Sequence, residues 1–294
     1  MTGMERRRLV LGLLFVSPCL IGLAVFTLYP LAASFYYSFC DYDILSEPLW
    51  VGTANYAEML GDDLFWKSLY NTCFFAALFV PLSLVLSLLV AMLLNQAVKF
   101  RFLFRALFYL PALVPIVAGA MIWLWIYNGE YGLLNYALSR IGIRAPQWLA
   151  DPAWTKPALV FMALWGVGNT IIIYLAALQD VPVQLYESAE IDGAGFWAKF
   201  RHVTIPMISP VIYFNLIMGI IGAMQIFTRP YIMMERGGPD NSALFYTIYI
   251  FQNAFRYSRM GYASAMAWTL FVAIVFLTWL GSKSASGKIH YEGR

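Results

Sequence analysis

The segment Val181–Pro210, VPVQLYESAEIDGAGFWAKFRHVTIPMISP, interrupts a chain that otherwise consists largely of long uncharged apolar runs. Charged side chains cluster in and beside it: Asp180, Glu187, Glu190, Asp192, Lys199 and Arg201. Proline suits a first helical turn, so Pro182 predicts that a short helix over about Gln184–Ile191 follows it. Glycine ends helices cheaply in the left-handed conformation, so Asp192-Gly193 predicts a turn before a second helix over Phe196–Val203. The segment is too polar to enter a bilayer and predicts a helix–turn–helix at a membrane surface.

The composition of the remaining chain is that of a membrane protein. Hydrophobic residues make up 61% of the 294 residues and charged residues 12%, which lies outside the range of soluble domains. The net charge of +3 is small, and no basic stripe points to nucleic acid. The two histidines and three cysteines are scattered without metal-ligand spacing. Cys40 and Cys73 are interpreted as free thiols, with a disulfide between them as the alternative.

Six apolar runs are long enough to cross a hydrocarbon core of roughly 30 Å. They cover about 9–30, 69–94, 106–127, 158–179, 207–228 and 262–281, with Pro206 opening the fifth. The predicted fold is an all-α membrane protein with six transmembrane helices in one domain, 1–294. The first run is longer than the apolar core of a signal peptide, so we expect an uncleaved helix that Pro30 kinks or breaks. Pro111 and Pro115 predict a kink in the third run.

The distribution of basic residues predicts the orientation in the membrane. Six spans place both termini on one side, together with the segment 95–105 and the segment 181–206. Counted together with Asp180, which directly precedes 181–206, these four regions hold 11 of the 19 lysines and arginines but only 6 of the 16 acidic residues. The bias is strongest in the short segments, at Arg6–Arg8 and at Lys99, Arg101 and Arg105. The positive-inside rule therefore predicts cytoplasmic N- and C-termini and a cytoplasmic segment 181–206.

The sequence contains no recognisable active site. The phosphate-binding pattern GxxxxGK[ST] is absent, so the chain is not expected to hydrolyse ATP. The two histidines suggest no Ser/His/Asp group, and no catalytic residue or metal ligand is predicted. Almost all charges lie outside the apolar runs, which counts against an ion-coupled transporter or an ion channel. The chain is predicted not to be an enzyme and to hold no cofactor of its own.

Uncharged polar and aromatic residues inside the spans suggest a lined pathway. Trp165, Asn169 and Thr170 lie in the fourth run, and Gln225 and Thr228 lie three residues apart in the fifth. Three residues along a helix share a face, so we expect Gln225 and Thr228 to point the same way. Amides, hydroxyls and aromatic faces are what a sugar requires. The alternative is that these polar groups bond to neighbouring helices. Tyr127 and Glu130 are weaker candidates, and an interfacial anchor explains Tyr127 equally well.

The segment Val181–Pro210 resembles the EAA signature of the membrane subunits of ABC importers. That pattern is Glu-Ala-Ala, three residues, Gly, nine residues and Ile-x-Leu-Pro. Here it is Glu187-Ser188-Ala189, Gly193 and Val203-Thr204-Ile205-Pro206, with full spacing and Ser188, Val203 and Ile205 as departures. The resemblance implies a loop, 181–206, that docks on a cytoplasmic ATPase. The docking residues would be Tyr186, Glu187, Ser188, Ala189, Asp192, Gly193 and Ala194.

The residue types suit those roles. Glu187 can form charge-assisted hydrogen bonds to basic groups of the ATPase. Ala189 is small enough for a close approach, and Gly193 permits the turn. Asp192 is expected to cap the second short helix.

The likeness extends along the chain to the sugar-importer permeases of the maltose and glycerol-phosphate type. It rests on Leu28-Tyr29-Pro30, Val51–Tyr56, Asn71-Thr72, Leu110–Pro115, Trp148–Pro152 and Gly237-Gly238-Pro239. It implies a type I importer permease in a bacterial or archaeal inner membrane. The implied partners are a second homologous permease, two copies of an ABC ATPase that bind ATP and Mg²⁺, and an extracytoplasmic solute-binding protein. Transport would proceed by alternating access.

Three functional hypotheses remain open. The first is import of a sugar or oligosaccharide, and the second is import of glycerol 3-phosphate or a glycerophosphodiester by the same machinery. The second would favour basic residues in the cavity; Arg229 is the nearby candidate, although snorkelling to the interface suits it better. The third is a channel or membrane scaffold outside the ABC class.

Overall fold

A computed structural model describes residues 3–96, 99–234 and 237–285, and these are almost entirely helical. The helices are α1 (Gly3–Leu23), α2 (Tyr29–Tyr37), α3 (Ala54–Leu60), α4 (Asp63–Asn95), α5 (Arg101–Leu113), α6 (Ile116–Ile126), α7 (Leu133–Arg140), α8 (Pro152–Trp165), α9 (Gly168–Asp180), α10 (Val183–Ile191), α11 (Phe196–Lys199), α12 (Ile205–Met224), α13 (Thr228–Met233), α14 (Tyr246–Phe251) and α15 (Met260–Ala285). Two short strands, β1 (Cys40–Asp41) and β2 (Leu49–Trp50), pair antiparallel, with Cys40 opposite Trp50. π-helical turns occupy Ala24–Leu28, Phe200–Thr204 and Gln252–Arg256, and Pro239–Asn241 forms a 3₁₀ turn.

The predicted all-α membrane fold is confirmed. Within the described residues, four helices are long and apolar enough to cross a membrane: Val10–Tyr37, Asp63–Asn95, Phe196–Met233 and Met260–Lys283. Two further pairs pass the same test together but are bent, α5 with α6 by 98° and α8 with α9 by 48°. The number of spans is therefore four, or up to six if each bent pair is one span. The break between α5 and α6 falls at Val114-Pro115 and is much sharper than the predicted kink.

The sequence predicts that Pro30 kinks or breaks the first helix, but the helix continues through it. It runs without interruption through the π-helical turn Ala24–Leu28 into α2 and ends at Tyr37. Pro30 lies inside this continuous helix just after the π-helical turn, and it removes one backbone N–H donor without ending the helix. The described parts of 1–62 and 250–270 form one compact unit.

The first unit is held by polar contacts around the chain that follows α2. Asn55 Nδ2 donates hydrogen bonds to the carbonyl oxygens of Ser38 and Cys40, at 3.0 and 2.9 Å. Arg259 pairs with Glu58, and the Tyr262 hydroxyl donates to Asp62. These contacts join α3 to the start of α15. Cys19, Cys40 and Cys73 are all free thiols.

The described parts of 63–249 and 271–285 lie in a second compact unit, which is organised around α4. At 33 residues, α4 is about 50 Å long and packs against α8, α9 and α12. One cluster of its core joins Val90, Ala91 and Leu94 of α4 to Ile171 and Tyr174 of α9. Ile208 of α12 is buried in the same cluster, and Tyr186 and Val203 pack against its edge. The segment 183–204 is thus attached directly to the core of this unit.

Asn71 ties three parts of the second unit together. This α4 side chain is 1% exposed and donates from Nδ2 to the carbonyl oxygens of Asn241 and Leu244, at 2.9 and 3.0 Å. Its Oδ1 accepts a hydrogen bond from Lys156 Nζ of α8 at 3.1 Å. The next residue, Thr72, accepts from the backbone N–H of Tyr246 at 2.9 Å. The loop after Gly237-Gly238-Pro239 is therefore held on α4 by buried hydrogen bonds.

We expect Asn71→Ala to lower the free energy of unfolding by about 2–3 kcal/mol, because it leaves buried carbonyl groups without donors. Thermal unfolding of the detergent-solubilised protein, followed by intrinsic fluorescence, measures the change. Asn95→Ala is the matched control, since Asn95 is exposed at the end of the same helix and should shift stability by no more than about 0.5 kcal/mol. Equal stability of the two variants would contradict the conclusion that the hydrogen bonds of Asn71 hold the loop on α4.

Candidate functional site

The segment 181–206 begins with the predicted helix, turn and glycine. Helix α10 covers Val183–Ile191, and Pro182 precedes it as the N-cap residue. The helix ends in a Schellman motif: the N–H of Gly193 bonds to the Glu190 carbonyl at 2.9 Å and that of Ala194 to the Ala189 carbonyl at 2.8 Å. Gly193 has φ of +80°, which side chains other than glycine rarely adopt. The turn therefore requires the glycine of the signature.

The second half of the segment differs from the prediction. No separate helix over Phe196–Val203 exists; instead α11 continues through the π-helical turn Phe200–Thr204 directly into α12. Pro206 lies inside this continuous helix just after the π-helical turn, and it removes one backbone N–H donor without ending the helix. The chain from Phe196 to the end of α12 is thus one continuous helical element.

The charged residues of the segment divide into paired and unpaired groups. Glu190 forms an ion pair with Lys199 across the turn. Glu187 and Ser188 are exposed on α10, and Glu187 forms no ion pair with any described residue. Contrary to the prediction, Asp192 does not cap α11. Gly195 occupies the N-cap position, and no side chain bonds there. The Tyr186 hydroxyl lies 3.0 Å from Thr204 Oγ1, which fastens α10 to the entrance of α12.

Large apolar side chains on the same segment are exposed, and sequence reasoning missed them. Ile191 is 87% exposed, Trp197 75% and Phe196 58%. Their positions just before and after Gly193 place them on either side of the turn. Apolar residues in an otherwise charged stretch were the available signal. An exposed apolar patch framed by charges is typical of a protein–protein contact.

A cavity of about 270 Å³ lies at the other end of α12. Gln225, Thr228 and Arg229 contribute its polar groups. Phe75, Phe79 and Phe227 contribute aromatic rings, and the rings of Phe75 and Phe79 stack at 5.3 Å between centroids. The cavity thus combines amide, hydroxyl and guanidinium groups with aromatic walls.

Gln225 and Thr228 meet in this cavity for a reason other than the one predicted. They do not share a helix face, because α12 ends at Met224 and α13 begins only at Thr228. Gln225 is the C-cap residue of α12, with φ of −105°. The break between the two helices, not helical periodicity, turns both side chains toward one space.

The three candidates of the fourth run lie elsewhere. The break between α8 and α9 falls at Gly166-Val167, so Trp165 ends one helix while Asn169 and Thr170 belong to the next. Trp165 lines a separate apolar cavity of about 260 Å³ and contacts Trp123 edge-on. Asn169 is exposed and Thr170 half-buried, and neither lines the cavity that contains Gln225. The structure therefore separates the predicted pathway residues into two groups.

Two residues occupy different positions from those predicted. Arg229 faces the cavity: its guanidinium packs over Gly166, where an added methyl group would lie 3.1 Å from Nη2. Tyr127 is 3% exposed and donates a hydrogen bond to the Ala158 carbonyl at 2.7 Å, so it is a core residue and not an interfacial anchor. The sequence singles out Arg229, since it is the only charged residue in 205–234.

Comparison with known proteins identifies the class. Residues 65–286 match the family of binding-protein-dependent transport system inner membrane components. The chain belongs to this family. It is a permease subunit of an ABC transporter, a multi-pass protein of the inner membrane and not an enzyme. Family membership excludes the channel or scaffold outside the ABC class. Within the residues that the structure describes, no group of three or more His, Cys, Asp or Glu side chains could hold a metal ion.

Relatives of this permease match along nearly its whole length. The probable ABC transporter permease YesP of Bacillus subtilis is 38% identical, over 96% of this chain and 93% of YesP. The lactose transport system permease LacF of Rhizobium radiobacter is 34% identical, over 95% of each chain. The crystal structure of a bacterial alginate ABC transporter, in complex with its alginate pentasaccharide-bound periplasmic protein, has the same fold. Its TM-score is 0.81 at 22% identity, over 95% of this chain and 94% of that one.

Proposed function

We propose that this permease translocates a sugar or oligosaccharide that an extracytoplasmic solute-binding protein delivers. The names of its relatives support a saccharide: LacF belongs to a lactose system, and the permease of the same fold belongs to an alginate importer. The lining of the cavity supports it as well. An amide and a hydroxyl can replace the water lost by a sugar, and aromatic rings can stack on its C–H faces.

The observation that carries the mechanism is the continuity between the segment 183–204 and the cavity. Helix α12 starts where the segment ends and stops at Gln225, 20 residues and about 30 Å away. Because the core cluster also contacts Tyr186 and Val203, a force on α10 is transmitted to the helices packed around it. ATP-driven movement of α10 would therefore reposition one wall of the cavity. Alternating access follows if this movement opens the cavity to opposite sides in turn.

Besides this permease and the binding protein, the proposed assembly contains three other chains. A second, homologous permease would complete the pathway, and two copies of a cytoplasmic ABC ATPase would bind ATP and Mg²⁺. The docking surface would consist of the turn 186–194, with Glu187 offered to basic groups of the ATPase. The exposed Ile191 and Trp197 would enter an apolar cleft. This arrangement requires cytoplasmic termini and a cytoplasmic segment 181–206, as the basic residues predict.

Import of glycerol 3-phosphate or a glycerophosphodiester is the second candidate. One observation favours it: the guanidinium of Arg229 lines the cavity, and arginine binds phosphate groups well. The aromatic walls and the neutral polar groups beside Arg229 favour a saccharide. The two candidates use the same machinery and differ only in the cargo.

Reconstitution tests the proposal. The permease, its partner permease and the ATPase are purified together and inserted in proteoliposomes, with ATP in the lumen and the cognate binding protein outside. We expect ATP-dependent uptake of a labelled saccharide, and loss of uptake with retained ATP hydrolysis for Glu187→Arg, because the reversed charge repels the basic groups of the ATPase. Arg201→Glu is the control, because Arg201 is exposed beyond the turn. Glu190→Arg is unsuitable as a control, since Glu190 pairs with Lys199. Failure to co-purify with an ATPase would overturn the assembly, and uptake of glycerol 3-phosphate alone would overturn the saccharide.

A further inference from the structure

The guanidinium of Arg229 stands at the junction of three helices. Arg229 is the second residue of α13, which follows the break after α12, and its guanidinium packs over Gly166 at the C-terminal end of α8. Gln225 and Thr228 line the same cavity on its own chain segment. Phe75 and Phe79 of α4 also line this cavity. A positive charge is therefore placed on the wall of a cavity that is otherwise neutral.

No described residue neutralises this charge. The lining of the cavity contains no carboxylate. Arg229 forms no ion pair and no hydrogen bond with residues 3–96, 99–234 and 237–285. A guanidinium carries five N–H donors and stays charged at any physiological pH. An ionisable residue within a membrane span that lacks a partner is costly, and such residues mark substrate pathways.

A purely structural role explains only part of this position. The carbonyl groups that end α8 carry partial negative charge, so the helix dipole favours a cation beside Gly166. That interaction accounts for how the charge is tolerated there. It leaves the N–H donors of Arg229 unused, since none bonds to a carbonyl in the described part of the chain. A ligand that brings oxygen acceptors and negative charge supplies what the wall lacks.

We propose that Arg229 binds an anionic substituent of the transported saccharide, a carboxylate or another oxyanion. This inference rests on the proposed function and names its substrate class. The planar fork of arginine fits a carboxylate through two parallel hydrogen bonds. The cavity, at about 270 Å³, is slightly smaller than the roughly 300–1,000 Å³ of pockets for drug-sized ligands. It is suited to one charged sugar ring, with Gln225 and Thr228 on its hydroxyls and the phenylalanine rings on its C–H faces.

Matched pairs of sugars test the proposal. Cellobiose, galactobiose and mannobiose are each compared with the disaccharide in which one C6 carries a carboxylate, and glycerol 3-phosphate serves as a non-sugar oxyanion. The binding protein is first screened against this panel by thermal shift, and uptake is then measured with the complete reconstituted importer. We expect a uronate disaccharide to be taken up at least about 10-fold faster than its neutral counterpart, since a charge left without its partner in a cavity is strongly unfavourable.

Variants assign the preference to Arg229. Arg229→Gln is expected to reduce uronate uptake at least about 10-fold while neutral uptake changes less than about 2-fold, and Arg229→Lys should restore part of the loss because it keeps the charge without the fork. Arg256→Gln, which removes an exposed positive charge that does not line the cavity, is the control and should leave both unchanged.

The outcomes are distinguishable. A uronate preference that Arg229→Gln abolishes supports the proposal. Transport of neutral sugars only, or an equal effect of Arg229→Gln on both members of a pair, overturns it while leaving the sugar importer intact. Uptake of glycerol 3-phosphate alone overturns the saccharide function itself.

Discussion

Replacing Gly261 with alanine is expected to abolish accumulation of the folded permease. Gly261 is the second residue of α15, and its N–H donates to the Tyr42 carbonyl at 3.1 Å. An added Cβ would lie 2.0 Å from the Cys40 carbonyl oxygen and 3.3 Å from that of Tyr37. Both neighbours are backbone atoms, of the last residue of α2 and of the first residue of β1, so no side chain can rotate away. The clash can be relieved only by moving the start of α15, which would break the hydrogen bonds of Arg259 and Tyr262 as well.

We estimate a loss of about 3 kcal/mol or more in the free energy of unfolding, the upper range for overpacking a buried site. The measurement is the amount of monodisperse protein after detergent extraction, together with its unfolding temperature. Gly12→Ala is the control, because a Cβ at Gly12 of α1 meets nothing within 4 Å. An unfolding temperature of Gly261→Ala within about 2 °C of the unsubstituted protein would refute the close approach.

Gly193→Pro is expected to uncouple transport from ATP hydrolysis without removing the protein from the membrane. Proline holds φ near −65°, whereas Gly193 has φ of +80° and donates its N–H to the Glu190 carbonyl. The substitution must therefore dismantle the Schellman turn between α10 and α11. The apolar spans, which determine insertion, are untouched. Uptake should fall at least about 10-fold, while ATP hydrolysis by the assembled complex continues.

Gly195→Pro offers a stringent control two residues further along. Gly195 has φ of −73° and ψ of 177°, which proline adopts without strain, and its N–H bonds to no described residue. The same residue type is thus introduced into the same segment with the turn preserved. Uptake is measured for both variants in the reconstituted importer, with ATPase activity as the second readout. If the two variants transport equally well, the turn at Gly193 has no part in coupling.

Much of the fold could be predicted because a bilayer acts on each segment by itself. A span must be apolar and must satisfy its own backbone hydrogen bonds, so length and composition indicate helices without knowledge of their neighbours. The turn at Gly193 was predictable for a similar reason, since only glycine takes that conformation readily. Local rules failed where helices continued or stopped for nonlocal reasons. Pro30 and Pro206 each lie just after a π-helical turn inside a continuous helix, and neither ends it, whereas α12 stops at Met224 although its apolar run continues.

The sequence by itself determined the class of protein, the positions of its apolar runs and the helix–turn–helix that resembles a coupling loop. Those properties depend on composition and on spacing within a few dozen residues. The tertiary structure alone decided which side chains meet. Gln225 and Thr228 share a cavity with Phe75 and Arg229, and Asn71 holds a loop about 170 residues away, because helices distant in sequence pack together. Such contacts follow from the packing of whole helices, and no local pattern encodes them.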